Sequence, residues 1–183
     1  MAGRPKDPKI NLRIYEELGQ LLEQQPYSAI TIDELAENTQ ISKATIYRRW
    51  KDKDTMIIDM FLNEVHGTSE VKGEFFNDLY AMLLKMTRIY TRPLGKAVIQ
   101  ILLTNEENSL RNHFMEDYFN AYRQVLKDIA SQRIPEDQQD IFIDLIFSPI
   151  YFNILIKPET LTDQYIHDML KTVIRSFIPD ESY

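Results

Sequence analysis

The sequence predicts an all-α fold of about nine helices: a short N-terminal group of helices followed by a longer helical domain. Three observations carry this. Every long segment repeats apolar residues at spacings of three and four, no segment sustains a period-two alternation, and glycine is scarce at five residues in 183.

The elements follow in order. Asp7 and Pro8 suit the N-cap and first position of a first helix, in which Ile10, Ile14, Leu18, Leu21 and Leu22 share one face and which Pro26 ends. Thr31-Ile-Asp-Glu34 reads as a capping box, with Thr31 bonding the Glu34 amide and Glu34 reaching back. It opens a second helix to about Asn38, with Ile32, Leu35 and Ala36 inward. Ser42 caps a third, Lys43 to Trp50, anchored through Ala44, Ile46 and Trp50. Asp52 or Asp54 caps a fourth, carrying Met56, Ile57, Met60, Phe61 and Val65. Beyond Gly67 and Gly73, a fifth bears Phe75, Leu79, Leu83, Met86 and Tyr90, and Pro93 opens a sixth with Val98, Ile101 and Leu102. Leu110, Phe114, Tyr118, Ala121, Val125 and Ile129 mark a seventh of about 25 residues. An eighth runs from about Glu136 to Ile156 and is interrupted at Pro149. Thr162 caps a ninth, with Ile166, Met169, Leu170, Val173, Ile174 and Phe177 on one face.

Charge is divided unevenly along the chain. The net charge is −7, yet residues 1–53 hold nine Lys/Arg against eight Asp/Glu, and Lys43–Lys53 holds five bases and one acid, Asp52. Screening confines electrostatics to about 10 Å, so a basic patch on an acidic protein can still meet phosphates. The expected division is 1–53 as a helix-turn-helix DNA-binding domain and 54–183 as a helical ligand-binding and dimerisation domain.

The spacing supports that division. Two short capped helices are separated by Thr39-Gln40-Ile41, the turn length of a helix-turn-helix, whose second helix enters the major groove. Ser42, Lys43, Ala44 and Thr45 stand at the start of that helix, where small or flexible side chains approach base edges. Tyr47, Arg48 and Arg49 are expected on its exposed arc. GRPK at 3–6 and YSAITIDELAENTQISKATIYRRWKDKDTMI at 27–57 resemble the DNA-binding domain of the TetR family of repressors. The resemblance implies DNA contacts at Tyr47, Arg48 and Arg49, a backbone clamp at Lys53 and a phosphate contact at Thr31. Two positions depart from the family: Gln40 and Pro26 stand where glycine is common, and the turn at Gln40 is expected to need a positive φ. Arg4 and Lys6 fit either a minor-groove arm or a disordered tail.

The remainder is less specific. Residues 144–166 resemble a C-terminal subtype of the family in which a proline interrupts the eighth helix. That helix is apolar nearly all round, with Asp144 the sole charge in Ile141–Ile156, and such a helix must be covered on every side. A second subunit is expected to cover it, as in the family's dimers, over a surface including Leu145, Phe152, Met169 and Val173; burial within a monomer is the other reading. Met82, Met86, Phe114, Tyr118, Tyr122, Phe147 and Tyr151 suit either a pocket for an apolar or amphipathic effector or plain core.

With no cysteine, thiolate metal sites and disulfides are excluded, and His66, His113 and His167 lack metal-ligand spacing. No Gly-rich phosphate loop or nucleophile elbow occurs, so neither an enzyme nor a cofactor is expected. The polar first nine residues carry no secretory pattern, and the longest uncharged stretch, Leu145–Ile156, is short of a membrane span. The expected function is a cytoplasmic, homodimeric regulator that binds double-stranded operator DNA, a repressor released from a palindromic site by a small molecule. The alternative is a ligand-independent DNA-binding or architectural protein of the same fold.

Overall fold

The computed structural model describes residues 8–65, 72–104 and 108–179. Asp7, Arg4, Lys6, His66 and Gly67 lie outside them. The fold is all-α, with nine helical rods among the described residues. They are α1 (Pro8–Gln24), α2 (Ile32–Thr39), α3 (Lys43–Tyr47), α4 (Lys53–Val65), α5 (Phe75–Thr91), α6 (Pro93–Thr104), α7 (Asn108–Phe114, continued through a π-helical turn at Met115–Phe119 into Asn120–Ala130), α8 (Gln139–Ile156) and α9 (Asp163–Phe177).

The rods form two compact units. The first, Met1–Val65 with Pro93–Glu106, packs α1 on α2, α2 on α3, and α6 on both α1 and α4. The second, His66–Arg92 with Glu107–Tyr183, packs α5, the later part of α7, α8 and α9 together. This division by packing differs from a cut after residue 53, because α4 and α6 both carry broad apolar faces. Met56, Ile57 and Ile58 of α4 and Val98 of α6 are fully buried, and the unit that contains α1 is the one that covers them.

Local chemistry sets the ends. Thr31 accepts from the Glu34 amide at 3.1 Å, but the return half of the capping box is absent: Glu34 accepts instead from Gln25 Nε2 at 2.9 Å. Of the two candidates for α4, Asp52 is the cap, accepting from the Thr55 amide at 2.7 Å. Thr162 caps α9 through the Tyr165 amide at 3.1 Å. Gln40 closes α2 in the left-handed region at φ 54°, ψ 31°, the positive φ expected of that turn.

Three expectations need correction. The regular part of α3 ends at Tyr47 rather than Trp50, although helical bonds from Arg48 to Ala44 (3.1 Å) and Trp50 to Ile46 (3.0 Å) carry the turn onward. Pro149 does not interrupt α8, which is continuous; its missing N–H affects the Leu145 carbonyl one turn earlier, and in the following turn Asn153 Nδ2 donates to the Pro149 carbonyl at 2.8 Å. In α7 the apolar face does not run through Ala121 and Val125. The π turn accommodates one more residue than an α turn, so the buried face passes from Tyr118 to Leu126, Ile129 and Ala130.

The Glu136–Ile156 stretch is long and apolar enough to cross a membrane by length and composition. Here it is the central rod of the second unit, with Phe142, Ile143, Ile146 and Ile150 fully buried.

Candidate nucleic-acid interface

The turn between α2 and α3 is built from backbone bonds. With Gln40 left-handed, the Ile41 amide donates to the Ala36 carbonyl and the Gln40 amide to the Glu37 carbonyl, each at 3.2 Å, a Schellman closure. Ile41 is buried, which fixes the chain's exit, and Ser42 then caps α3 through the Thr45 amide at 3.3 Å.

Helix α3 has two sides. Ile46 and Trp50 are buried at 1% and 3% exposure and seat it on the unit. Ser42, Lys43, Ala44, Tyr47 and Arg48 are exposed and Thr45 is half-buried, so Ala44 does not help to anchor the helix. Tyr47 is 53% exposed, unusual for a large ring with no fold role. Lys43 pairs with Asp33 of α2 at 2.7 Å in a solvent-exposed contact. Arg48 has no side-chain partner among the described residues.

Two expected contact residues turn inward instead. Arg49 is half-buried and donates to Asn11 Oδ1 of α1 at 2.5 Å, so its place on the exposed arc is corrected. It lies three residues after Ile46 and beside Trp50, on the flank of the buried face. Lys53 is half-buried; its ammonium donates to the carbonyls of Tyr27 at 2.8 Å and Ile30 at 2.6 Å and sits 4.2 Å from the centre of the Tyr27 ring. Desolvation holds its pKa below the ordinary lysine value. Thr31 is exposed, its hydroxyl proton unused by the cap it accepts.

The end of α3 is fixed by a carboxylate that the apolar pattern did not single out. Asp59 of α4 accepts from Trp50 Nε1 at 2.7 Å and from the Tyr15 hydroxyl at 2.8 Å, and the two rings lie 5.8 Å apart. One acceptor thus joins α1, α3 and α4. Burial and this carboxylate together push the Tyr15 hydroxyl's pKa well above its usual value. The available signal was an acid among apolar residues in IIDMF, a position that needs a partner when covered.

In the second unit, Met86, Tyr118, Tyr122, Phe147 and Tyr151 of the expected pocket do converge, joined by Phe119, Arg123 and Ile143. Met82 and Phe114 are buried but do not line this cleft. The rings are closely packed, Tyr118 lying 4.5 Å from Tyr122 and Tyr90 5.6 Å from Tyr151. The free space is about 10 Å³, room for a single water. Arg123, at the rim, is held by Asp140 at 2.8 Å and Asp144 at 2.7 Å. An open surface groove lined by Phe75, Phe76, Arg133, His167 and Lys171 was not foreseen. Of the expected dimer residues, Leu145 and Phe152 are exposed at 44% and 55%, whereas Met169 and Val173 are half-buried. Leu145 and Phe152 form an exposed apolar stripe along α8 with Ile141, Leu155 and Ile156.

Two short helices joined by a tight turn, the second exposing a tyrosine and an arginine over a buried tryptophan anchor, define a helix-turn-helix DNA-binding protein. Residues 14–60 match the family described as bacterial regulatory proteins, tetR family. The chain is 25% identical to the helix-turn-helix regulator YdeS of Bacillus subtilis over 94% of its own length and 92% of that protein's. It is 26% identical to the nucleoid occlusion factor SlmA of Idiomarina loihiensis over 72% and 71%. Its fold is that of a TetR regulator from Rhodococcus sp. RHA1 (TM-score 0.61, 17% identity, 93% and 95% covered). A regulator from Mesorhizobium loti gives TM-score 0.66, at 10% identity with 96% and 98% covered. Residues 14–60 thus match the DNA-binding domain of the tetR family, and the chain is similar over most of its length to helix-turn-helix transcriptional regulators, with a helix-turn-helix domain followed by a helical domain.

Proposed function

We propose that the protein is a cytoplasmic homodimeric repressor that binds a palindromic operator through α3 and leaves it when a small molecule occupies the second unit. The observation that carries the DNA-facing part is the exposure of Tyr47 and Arg48 opposite buried Ile46 and Trp50. Ser42, Lys43, Ala44 and Thr45 supply the small and hydrogen-bonding groups at the leading end, and Thr31 a hydroxyl for phosphate. Arg49 contributes from the flank, through its tie to Asn11.

The dimer rests on the exposed stripe of α8 with the adjoining half-buried Met169 and Val173 of α9. An apolar stripe of this length is costly to leave in water, and an interface of well over about 1,000 Å² suits an obligate contact. Two-fold symmetry would then place two recognition helices on half-sites about one helical turn apart, or a multiple of it. The effector reading rests on the aromatic cleft, whose rings suit an apolar or amphipathic ligand. A tenfold loss of operator affinity requires about 1.4 kcal/mol of preference for the non-binding state.

A second reading, DNA binding without an effector, is favoured by one observation: the cleft is closed to little more than a water. The relative named a nucleoid occlusion factor is compatible with it. The test uses fluorescence anisotropy with duplexes drawn from the promoters flanking the protein's own gene. Tyr47→Ala and Arg48→Ala should abolish specific binding while leaving the fold intact; wild-type affinity in both would refute the DNA-facing assignment. A thermal-shift screen with lipophilic and cationic compounds separates the two regulatory readings, since a sensor is stabilised by some of them and an effector-free protein by none.

A further inference from the structure

We infer that the aromatic cleft of the second unit selects an amphipathic ligand bearing a carboxylate, with its apolar body among the rings and its acid at the rim, between Arg123 and the Tyr122 hydroxyl. The inference rests on the effector reading given above and narrows it to one chemical class.

Three observations meet at this rim. The Tyr122 hydroxyl is buried without a hydrogen-bond partner among the described residues, although its ring lies 4.5 Å from that of Tyr118. A buried hydroxyl left in this way is costly, and a ligand oxygen beside it removes the cost. Arg123 follows directly and borders the same cleft. Four of its N–H groups are engaged: Nε and Nη2 with Asp140 Oδ1 (3.2 and 2.8 Å), Nη2 with the Asp140 carbonyl (3.3 Å) and Nη1 with Asp144 Oδ1 (2.7 Å). A guanidinium has one donor more than that, so an Nη1 proton is left for a further acceptor. Lys85 adds a second cation, its ammonium 5.8 Å from the centre of the Tyr122 ring.

The charge balance favours an anion. Around Tyr122 and Arg123, the three cations Arg123, Lys85 and Lys127 stand against the two carboxylates of Asp140 and Asp144. Both aspartates are well exposed, at 60% and 63%, and pairs with such hydrated partners are weak, so they leave the guanidinium able to meet a ligand from the cleft side. A hydroxyl serves donors as well as acceptors; Arg123 and Lys85, which only donate, decide for an acceptor, and their charge for an ionised one. Deeper in, the chemistry reverses. Burial holds the Tyr90, Tyr118 and Tyr151 hydroxyls above the ordinary phenol range, the mark of an interior hostile to ions. The acid therefore belongs at the rim and the apolar body against Met86, Phe147 and Tyr151. Free space is about 10 Å³, so the body enters by displacing side chains, and unbranched Met86 with half-buried Phe119 and Tyr151 are the readiest to turn.

The experiment titrates the full chain calorimetrically with two matched series: phenylbutyrate, phenylbutanamide and phenylbutylamine, then octanoate, octanamide and octylamine. On at least one skeleton the acid should bind about tenfold tighter than the amide, as a charge-assisted bond replaces a neutral one, and the amine should bind weakest. Arg123→Gln should bring the acid to the level of the amide, whose own unchanged binding shows the cleft intact, while Arg123→Lys keeps most of the advantage. Tyr122→Phe should weaken acid and amide alike, and Phe147→Ala should alter every ligand that binds. An acid that binds no tighter than its amide or amine, or that keeps its advantage in Arg123→Gln, overturns the proposal while the effector reading stands. An acid untouched by Phe147→Ala lies outside the cleft and overturns it too. If no member of either series binds, the proposal is overturned, and the effector reading falls with it only if the thermal-shift screen is also silent.

Discussion

Replacing Gln40 with glycine should stabilise the protein without touching DNA affinity. Gln40 is the one described non-glycine residue with positive φ, at 54°. A left-handed conformation costs a residue with a Cβ about 1–2 kcal/mol, and glycine avoids that cost. Glycine also gives the unfolded chain more freedom, which takes back about 0.5–1 kcal/mol. The net gain is about 0.5–1 kcal/mol, because the Schellman bonds from Gln40 and Ile41 involve backbone alone and survive the change. In a cooperative unit of 60–100 residues, 1 kcal/mol corresponds to a shift of about 4–8 °C. Thermal unfolding followed by circular dichroism should therefore show a rise of about 2–8 °C. Gln40→Ala is the control: it keeps the Cβ and the strain, and should melt close to wild type. Gln40→Val adds branching at that Cβ and should melt lower. A glycine variant that melts below wild type would refute the reasoning, since strain would then not be what the turn stores.

Further tests address the other elements. Asp59→Ala leaves the Trp50 and Tyr15 donors without their shared acceptor; at about 1–3 kcal/mol for a buried unsatisfied group, the urea midpoint should fall clearly and the emission of the chain's single tryptophan should shift. Phe152→Asp or Val173→Asp should give a monomer by light scattering and abolish operator binding although α3 is unaltered, because a buried unpaired charge costs several kcal/mol; a dimer that persists in both would sink the α8–α9 interface. Phe147→Ala or Tyr151→Ala should change the response to any stabilising compound while ligand-free DNA binding stays the same. Tyr15, Tyr90, Tyr118 and Tyr151 are all raised by burial, Tyr151 to about 12. The folded state thus favours their neutral forms, so their contribution is complete below about pH 10 and declines as pH rises through the folded values. Stability measured on either side of pH 10 should drop on the alkaline side, by up to about 1.4 kcal/mol per pH unit for each tyrosine.

Much of this architecture could be read from the residues because local chemistry and packing agree. Thr31, Ser42, Asp52 and Thr162 all cap where their spacing to the next apolar run puts them, and the faces of α1, α5 and α9 follow a simple helical period. Ala121 and Val125 failed because a π turn leaves no mark in composition: it shifts the phase of the face without any glycine or proline to announce it. Pro149 misled for the opposite reason. A strong breaker was absorbed by a helix buried on several sides, with Asn153 adding a bond to the Pro149 carbonyl in the turn that follows. At the candidate interface, exposed Tyr47 and Arg48 were legible from their position between Ile46 and Trp50. The inward turn of Arg49 and Lys53 was not, since it depends on Asn11 and on carbonyls more than twenty residues away in sequence, which no local pattern encodes.

That inward turn bears on how the protein divides its time in a cell. Arg13, Arg49 and Lys53 donate to Thr39, Asn11 and the Tyr27 and Ile30 carbonyls respectively, all within the first unit. A cation already engaged in this way releases few condensed counterions when a duplex arrives, and counterion release drives attachment to arbitrary sequence. On the DNA-binding reading, bulk chromosomal DNA would then compete weakly, and the net charge of −7 would oppose it further. On the repressor reading proposed above, a protein built this way would draw its occupancy from base-edge complementarity more than from the salt of the medium.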